Sequence, residues 1–490
     1  MTKTAHYNPE ASSSAPRAGH NETSSRYFEH SSAQRISTDT VVVESIRKEY
    51  PELHLTVSPS RTCNILAYAA AGHAGIAPID KANERLSWRS YYSPANRLNG
   101  NGTLADSVKL GKYLLDWKNK EFVVYIIEGR DGSMPYGVTS NQYILSSAIE
   151  ATNTLLLEVG QWSNSLHGEV WVFDGGYWQK SKELYDSAIK SSWEDVILAP
   201  DMKKAIRDDV ENFFDSRATY EKLKVPWKRG EIFWGPPGNG KTISVKAIMH
   251  TLYSRKDPIP TLYVRSLSSF GGPEYSVSEI FAQARQEAPC LLVFEDLDSM
   301  ITDNVRSYFL NEVDGIRKND GILIIGSTNH LDRLDPGIAK RPSRFDRKFL
   351  FPNPNEKERE AYIKYWQGKL KDNKDLEFPN KICPAVAKIT EDFSFAFLQE
   401  AMIASLLAIA REDNELVCVE CLEQHGKSIE NASCDRKIAR PFKGLFEYVW
   451  SVKLMDDEDP SLNDFPLWRQ LKKQIRILRE EMSDEKGTTK

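Results

Sequence analysis

The sequence has few cysteines, no long apolar run and no excess of positive charge. Six cysteines among 490 residues are too few for a disulfide framework, so we expect a reducing compartment, cytosol or nucleus. The longest weakly polar stretch, residues 64–79, contains His73 and is too short to cross a membrane. A net charge of −5 argues against a dedicated nucleic-acid binder. We therefore expect a protein that is neither secreted nor integral to a membrane.

The first 36 residues contain few large apolar side chains and no apolar run. They are rich in Ser, Asn, His and Glu, a composition typical of disorder. Without an apolar segment they cannot act as a secretory signal. Residues 1–36 are therefore predicted to form a disordered tail.

A mixed pattern of strands and helices follows the tail. Residues 113–129 and 168–181 are predicted to form β-hairpins, because apolar runs flank a short turn in each. Between them, residues 143–162 are predicted to form a helix. We therefore expect an N-terminal α+β domain over residues 37–190.

Continuous apolar strands alternate with helical segments over residues 191–354. This pattern predicts a doubly wound α/β domain, with a parallel sheet covered by helices on both faces. Residues 355–412 are predicted to form a helical lid, and residues 413–490 a C-terminal extension. That extension contains an amphipathic helix, predicted to pack on the lid or on a neighbouring subunit, with recruitment of a partner as the alternative. Its apolar stripe comprises Leu467, Leu471, Ile475, Leu478 and Met482.

The segment GPPGNGKT follows an apolar strand and opens a helix. It comprises Gly235, Pro236, Pro237, Gly238, Asn239, Gly240, Lys241 and Thr242. Its glycines let backbone N–H groups approach phosphate oxygens, and the following helix presents its positive end to the anion. Lys241 would reach the β- and γ-phosphates, and Thr242 would place a hydroxyl on Mg²⁺. The segment therefore predicts a P-loop that binds ATP and Mg²⁺.

Three acids, Glu295, Asp296 and Asp298, end the apolar run CLLVF. Ligands of open α/β sheets bind at the carboxyl ends of the strands, so these acids should lie beside the phosphates. One acid would hold Mg²⁺ and the next would take the proton of the attacking water. Asn329 follows the next apolar strand, where its amide could orient that water. Together these residues predict a hydrolytic site.

Three arginines, Arg341, Arg344 and Arg347, cluster in the segment RPSRFDRKF. An arginine from a neighbouring subunit can supply the positive charge that a P-loop lacks at the transition state. The cluster therefore indicates an oligomer. The alternative is a solvated basic loop with one structural ion pair.

Over residues 192–412 these segments together resemble the AAA ATPases. GPPGNGKT corresponds to the Walker A motif, LLVFEDLD to Walker B, STN to sensor 1 and LDPGIAKRPSRFDR to the second region of homology. The resemblance implies that Arg344 and Arg347 are the arginine fingers, with Arg341 a weaker candidate. It also implies a homo-oligomeric ring, a hexamer or a heptamer.

The approach to the P-loop and the order Glu295-Asp296 are similar to the mitochondrial AAA chaperones that translocate the Rieske iron–sulfur protein. From this similarity Glu295 is assigned to the Mg²⁺ side, through water, and Asp296 to water activation. Because Asp is one methylene shorter than Glu, we expect slower hydrolysis than usual. That group carries an N-terminal membrane helix and none is evident in this sequence, so its location and substrate are not carried over.

Two further motifs have alternative interpretations. SSFGGPE places Phe270 before two glycines and resembles the pore loop that grips a threaded chain in AAA rings. The alternative is that Phe270 covers a subunit interface. Cys418, Cys421, His425 and Cys434 could form a zinc site, although their irregular spacing favours free thiols.

The sequence therefore predicts a ring-forming ATP hydrolase that remodels or translocates a macromolecule, with protein as the favoured substrate. Two alternatives come from other classes. An ATP-gated assembly scaffold would bind nucleotide and barely hydrolyse it, which the Glu-Asp order leaves open. A nucleic-acid remodelling ATPase is disfavoured, because the net charge is −5 and no basic, aromatic-rich domain is evident.

Overall fold

The chain divides into two units, Met1–Ser165 and Leu166–Lys490. The computed structural model describes residues 38–80, 84–94, 98, 100–130, 138–315, 317–341, 343–373, 376–424 and 460–487. The tail predicted at residues 1–36 lies outside these ranges. Across the described ranges, no helix combines the length and apolar character that a membrane span requires.

The described part of the first unit is an antiparallel sheet with helices. Its strands are β1 (His54–Pro59), β2 (Gly75–Pro78), β3 (Leu86–Tyr92), β4 (Thr103–Trp117), β5 (Lys120–Arg130) and β6 (Val138–Ser146). Its helices are α1 (Thr38–Glu49), α2 (Ile65–Ala70) and α3 (Ile149–Asn164). The strand order is β1-β6-β5-β4-β2, and β3 also pairs with β4.

The hairpin predicted at residues 113–129 is confirmed by the pairing of β4 with β5. Its two turn residues, Lys118 and Asn119, both have positive φ angles, of 51° and 58°. This backbone is that of a two-residue turn whose twist matches the flanking strands. The polar side chains at the turn therefore mark the hairpin directly in the sequence.

The helix predicted at residues 143–162 begins later than expected, because residues 143–146 belong to β6. Tyr143 and Leu145 are buried in one cluster, and Ile144 is buried in another. Such alternation between two faces is the signature of a strand. An apolar run covered on both faces looks like part of a helix in sequence, which explains the error.

The second unit contains a seven-stranded sheet. Its strands are β7 (Val170–Asp174), β8 (Tyr177–Ser181), β9 (Lys228–Trp234), β10 (Thr261–Val264), β11 (Cys290–Phe294), β12 (Ile322–Thr328) and β13 (Arg347–Leu350). The strand order is β13-β9-β12-β11-β10-β7-β8. All neighbouring pairs are parallel except β7 with β8, which form an antiparallel hairpin.

Some helices of the second unit lie among these strands in the sequence, and others come after the last strand. Those associated with the sheet are α4 (Lys182–Ile189), α5 (Pro200–Asp215), α6 (Arg217–Leu223), α7 (Lys241–Tyr253), α8 (Pro273–Glu287), α9 (Leu297–Met300), α10 (Asp303–Asp314) and α11 (Pro336–Ala339). Those that follow it are α12 (Glu356–Leu370), α13 (Ile382–Ile389), α14 (Phe395–Gln424) and α15 (Pro466–Gly487). A short 3₁₀ helix, Pro460–Asp464, precedes α15.

The sheet of the second unit is apolar on both faces. In β11, Cys290, Leu292 and Phe294 pack in one core cluster, whereas Leu291 and Val293 pack in the other. Continuous apolar strands are what a sheet covered on both faces requires, because successive side chains point in opposite directions. The predicted parallel α/β domain is therefore present.

The hairpin predicted at residues 168–181 forms, but it belongs to the second unit and not to the N-terminal domain. Strand β7 pairs in parallel with β10 and extends the sheet of the second unit. Val172 and Phe173 are buried in the clusters on opposite faces of that sheet. The structure therefore divides the chain between residues 165 and 166, earlier than the boundary expected after residue 190.

The C-terminal helix α15 packs on the helices that follow the sheet. Leu467, Leu471, Ile475 and Leu478 are buried in a cluster shared with α12, α13 and α14. This arrangement confirms the predicted apolar stripe, and of the two packing partners predicted for it, the stripe contacts the helices of its own chain. It also shows that α14 continues to Gln424, beyond the expected end of the helical segment at residue 412.

Candidate functional site

Residues 235–240 form the tight loop that joins β9 to α7. Gly235, Gly238 and Gly240 have positive φ angles of 142°, 75° and 94°. Residues other than glycine rarely adopt such angles. A Cβ at Gly235 would overlap the carbonyl oxygen of Phe351, and one at Gly238 would lie 2.5 Å from the Cβ of Ala396. Backbone conformation therefore favours glycine at all three positions, and lack of space also requires it at Gly235 and Gly238.

Lys241 is the first residue of α7 and folds back over the loop. Its ammonium Nζ donates to the carbonyl oxygens of Gly235, at 2.7 Å, and Pro236, at 2.9 Å. Burial lowers the pKa of Lys241, and the nearby carboxylates of Asp296 and Glu295 oppose that shift. The loop and the acidic end of β11 therefore meet around one buried cation.

The remaining loop residues have different surroundings. Thr242 is exposed in the first turn of α7. Asn239 is buried, and its side chain donates to Asn353 Oδ1 at 2.8 Å and accepts from the backbone N–H of Phe395 at 3.4 Å. The side chain of Asn239, predicted to line the cofactor site, therefore fixes the loop to the start of α14.

Glu295 follows β11 directly and is half-buried. Its Oε2 accepts a hydrogen bond from the hydroxyl of Tyr263 on β10, and burial and the Glu295 carboxylate both raise the pKa of Tyr263. Its Oε1 is buried and lacks a hydrogen-bond partner among the residues described in the structure. An unsatisfied buried carboxylate oxygen is an expected feature of a residue that faces a cation.

Asp296 and Asp298 differ from Glu295 in exposure and contacts. Asp296 is exposed and has the left-handed backbone φ 50°, ψ 51°, while its N–H donates to Ser327 Oγ at 3.3 Å. The carboxylate of Asp298 accepts from Thr328 Oγ1 at 2.6 Å. Asp296 is therefore the most exposed of the three acids, whereas Asp298 is tied to the neighbouring strand.

Asn329 follows β12 directly and is half-buried. Strands β11 and β12 run parallel with Phe294 opposite Gly326, so Asn329 lies at the same sheet edge as the acids. The P-loop, Glu295, Asp296 and Asn329 are therefore gathered at the carboxyl ends of three adjacent strands, as expected from the sequence.

The three arginines lie beside the start and middle of β9, away from its P-loop end. Arg344 is buried, and it donates to both carboxylate oxygens of Asp314, at 2.8 and 2.6 Å, and to the carbonyl of Gly337 at 2.7 Å. These hydrogen bonds lower the pKa of Asp314. Arg341 and Arg347 are exposed and contact Asp314 and Asp209 at 3.6 and 3.2 Å.

The structure thus separates the three arginines by exposure. Arg344, expected to reach a neighbouring subunit, is held within its own chain by a bidentate ion pair. Arg347 stands on β13, the edge strand, opposite Glu231 of β9. The sequence shows that three arginines cluster, but it does not show that Arg344 pairs with Asp314, thirty residues earlier.

Glu231 is a charged residue that the sequence analysis missed. It lies in the middle of β9, is 0% exposed, and neither carboxylate oxygen has a hydrogen-bond partner in the described part of the chain. Burial, followed by repulsion from Asp209, raises the pKa of Glu231 to about 8. A single acid within an apolar strand, in GEIFW, is the signal that could have revealed it.

Phe270 lies at the tip of a turn before α8. The turn closes through the N–H of Gly272, which donates to the carbonyl of Ser269 at 3.2 Å. The ring of Phe270 is fully exposed. An exposed aromatic ring on a glycine-containing turn is free to contact another molecule.

The predicted zinc ligands give no site that can be described. His425 and Cys434 lie outside the described residues, and only the helical backbone of Cys418 and Cys421 is described, within α14. The zinc interpretation therefore stays a prediction from the sequence.

The parallel sheet, the glycine loop and the following helix define a P-loop nucleotide-binding domain. Residues 232–353 match the family model described as "ATPase family associated with various cellular activities (AAA)". The chain therefore contains an AAA ATPase domain, and the match implies ATPase activity. Proteins of this family generally use ATP and Mg²⁺ and typically form oligomers.

Proposed function

We propose that the chain binds Mg²⁺-ATP between the P-loop and the acidic end of β11 and hydrolyses it. The observation that carries this proposal is the position of Lys241. Its ammonium group donates to the loop carbonyls and interacts electrostatically with the carboxylates of Asp296 and Glu295. Phosphate oxygens would replace those carbonyls as the partners of the ammonium group. A buried cation between a loop of N–H donors and a group of carboxylates suits a metal-bound triphosphate.

Thr242 and Glu295 are the residues that would hold Mg²⁺, Glu295 through water. The exposed hydroxyl of Thr242 and the unsatisfied Oε1 of Glu295 fit a hard cation, which prefers oxygen ligands. When bound, Mg²⁺ neutralises charge on the β- and γ-phosphates. Glu295 is better suited to the metal than to the water, because its Oε2 is held by Tyr263 and its Oε1 is buried.

Asp296 and Asn329 are proposed to act on the attacking water. Asp296 is exposed and can take the water proton, and the amide of Asn329 can orient the water toward the γ-phosphate. Arg347 is the better candidate for an arginine finger, because it is exposed on an edge strand. Arg344 could reach a neighbouring subunit only by leaving Asp314. We therefore propose that Arg344 mainly fixes the segment that carries the three arginines, residues 341–347, to the rest of its own chain.

We further propose that the protein acts as a homo-oligomeric ring that remodels or translocates a protein substrate, with Phe270 contacting the substrate. The full exposure of Phe270 supports this role, and the exposed Arg341 and Arg347 support a subunit interface. Kinship with the Rieske-translocating AAA chaperones rests on the Glu295-Asp296 order and the approach to the P-loop.

The test compares ATP binding and phosphate release by wild type, Lys241→Ala and Asp296→Asn. We expect Lys241→Ala to lose binding, and Asp296→Asn to keep binding while losing hydrolysis. Wild-type protein that binds ATP tightly without turnover would favour the assembly scaffold. Stimulation by nucleic acid and not by unfolded protein would favour a nucleic-acid remodeller. ATP binding that survives Lys241→Ala would contradict the proposed site.

A further inference from the structure

The hydroxyl of Tyr263 reaches Glu295 across two neighbouring strands. Tyr263 pairs in register with Val293 in the parallel ladder of β10 and β11, so Glu295 lies two residues further along the next strand. Side chains two residues apart on a strand share one face, and a tyrosine is long enough to bridge this diagonal. The contact therefore follows from the register and the length of the side chain.

Glu295 has a rotatable bond that Asp lacks, so its carboxylate has more orientations to choose from. The hydrogen bond from Tyr263 to Oε2 removes that freedom on one side. The other oxygen, Oε1, is then fixed in a buried position where no described residue satisfies it. One oxygen is thereby anchored, and the second is left available for a cation or its bound water.

We propose that Tyr263 is a positioning residue that orients Glu295 toward the Mg²⁺ of the bound nucleotide. The inference rests on the proposed function, because it needs Glu295 on the metal side. A shorter Asp at this position would have one rotatable bond fewer and would need no such restraint. The hydrogen bond from Tyr263 restrains the longer side chain of Glu295. Residues that orient a metal ligand commonly contribute 10- to 100-fold in metal affinity.

The experiment measures metal affinity directly. Full-length protein is saturated with a non-hydrolysable ATP analogue and titrated with Mn²⁺, and free Mn²⁺ is followed by electron paramagnetic resonance. We expect Tyr263→Phe to weaken Mn²⁺ binding about tenfold while the affinity for metal-free nucleotide stays unchanged. Tyr365→Phe is the matched control, because the hydroxyl of Tyr365, on α12, donates to the carboxylate of Asp195 at 2.9 Å and not to Glu295.

A double-mutant comparison separates positioning from general structural damage. In the Glu295→Asp background the shorter carboxylate should no longer reach Tyr263, so adding Tyr263→Phe should leave Mn²⁺ affinity unchanged. An equal loss in both backgrounds would overturn the positioning role, because the tyrosine would then act independently of Glu295.

Glu295→Gln distinguishes the failure of the inference from the failure of the proposed function. If Glu295→Gln weakens Mn²⁺ binding and Tyr263→Phe matches wild type, the positioning role is wrong and the metal site stands. If Glu295→Gln itself binds Mn²⁺ as wild type does, Glu295 does not face the metal and the proposed site must be revised.

Discussion

Replacing the buried acid Glu231 with Gln should make the protein more stable at neutral and alkaline pH. Glu231 is 0% exposed and unpaired among described residues, and its pKa is raised from 4.5 to about 8. The folded chain therefore keeps a proton that the unfolded chain releases. Protonated Glu231 therefore contributes stability that is fully present below pH 4.5 and is lost as the pH rises from 4.5 toward 8.

The size of this effect follows from the pKa values. Between 4.5 and about 8, the free energy of unfolding should fall by about 1.4 kcal/mol for each pH unit, about 5 kcal/mol in all. Gln has nearly the same shape and does not titrate. As the pH rises from 5.5 to 7.5, the free energy of unfolding of Glu231→Gln should therefore increase by about 3 kcal/mol relative to that of wild type.

The assay is urea unfolding followed by tryptophan fluorescence at pH 5.5 and 7.5. Glu183→Gln serves as the control, because Glu183 is exposed on α4, and its pH dependence should match that of wild type. If Glu231→Gln and wild type show the same pH dependence, the carboxylate of Glu231 is ionised in the folded chain, and the reasoning from burial is refuted.

Three further substitutions test the site and its surroundings. Arg344→Ala should lower the free energy of unfolding by about 2 kcal/mol, because it removes the buried partner of a bidentate, charge-assisted pair with the partly exposed Asp314; an unchanged urea midpoint would contradict this. Gly238→Ala should weaken ATP binding at least about tenfold, since its Cβ would lie 2.5 Å from Ala396 in a left-handed backbone. Gly368→Ala, which has open space in a helix, is the control and should bind ATP normally. Phe270→Ala should leave stability within about 0.5 kcal/mol and basal hydrolysis unchanged while removing stimulation by unfolded protein; retained stimulation would exclude Phe270 from substrate contact.

The parts of the site that are local in sequence were predictable. The P-loop, the acids after β11 and Asn329 each lie where a strand ends, and parallel strands bring such ends together. The hairpin of β4 and β5 was equally clear from its turn. In these cases the pattern that specifies the structure lies within a few residues.

Features that depend on distant pairing were not predictable. The hairpin of β7 and β8 forms as expected, but local pattern does not reveal that β7 pairs with β10. The ion pair of Arg344 with Asp314 and the hydrogen bond of Tyr263 with Glu295 likewise depend on how separate elements pack. A single sequence shows which residues can form such contacts, and the fold decides which do.

The most direct test of the account is a structure of the Asp296→Asn protein with Mg²⁺-ATP bound. We expect the triphosphate to lie on Gly235–Thr242, with Mg²⁺ between Thr242 and Glu295 and Arg347 of a neighbouring subunit near the γ-phosphate. A nucleotide bound away from this loop, or a metal that Glu295 does not face, would contradict the central claim.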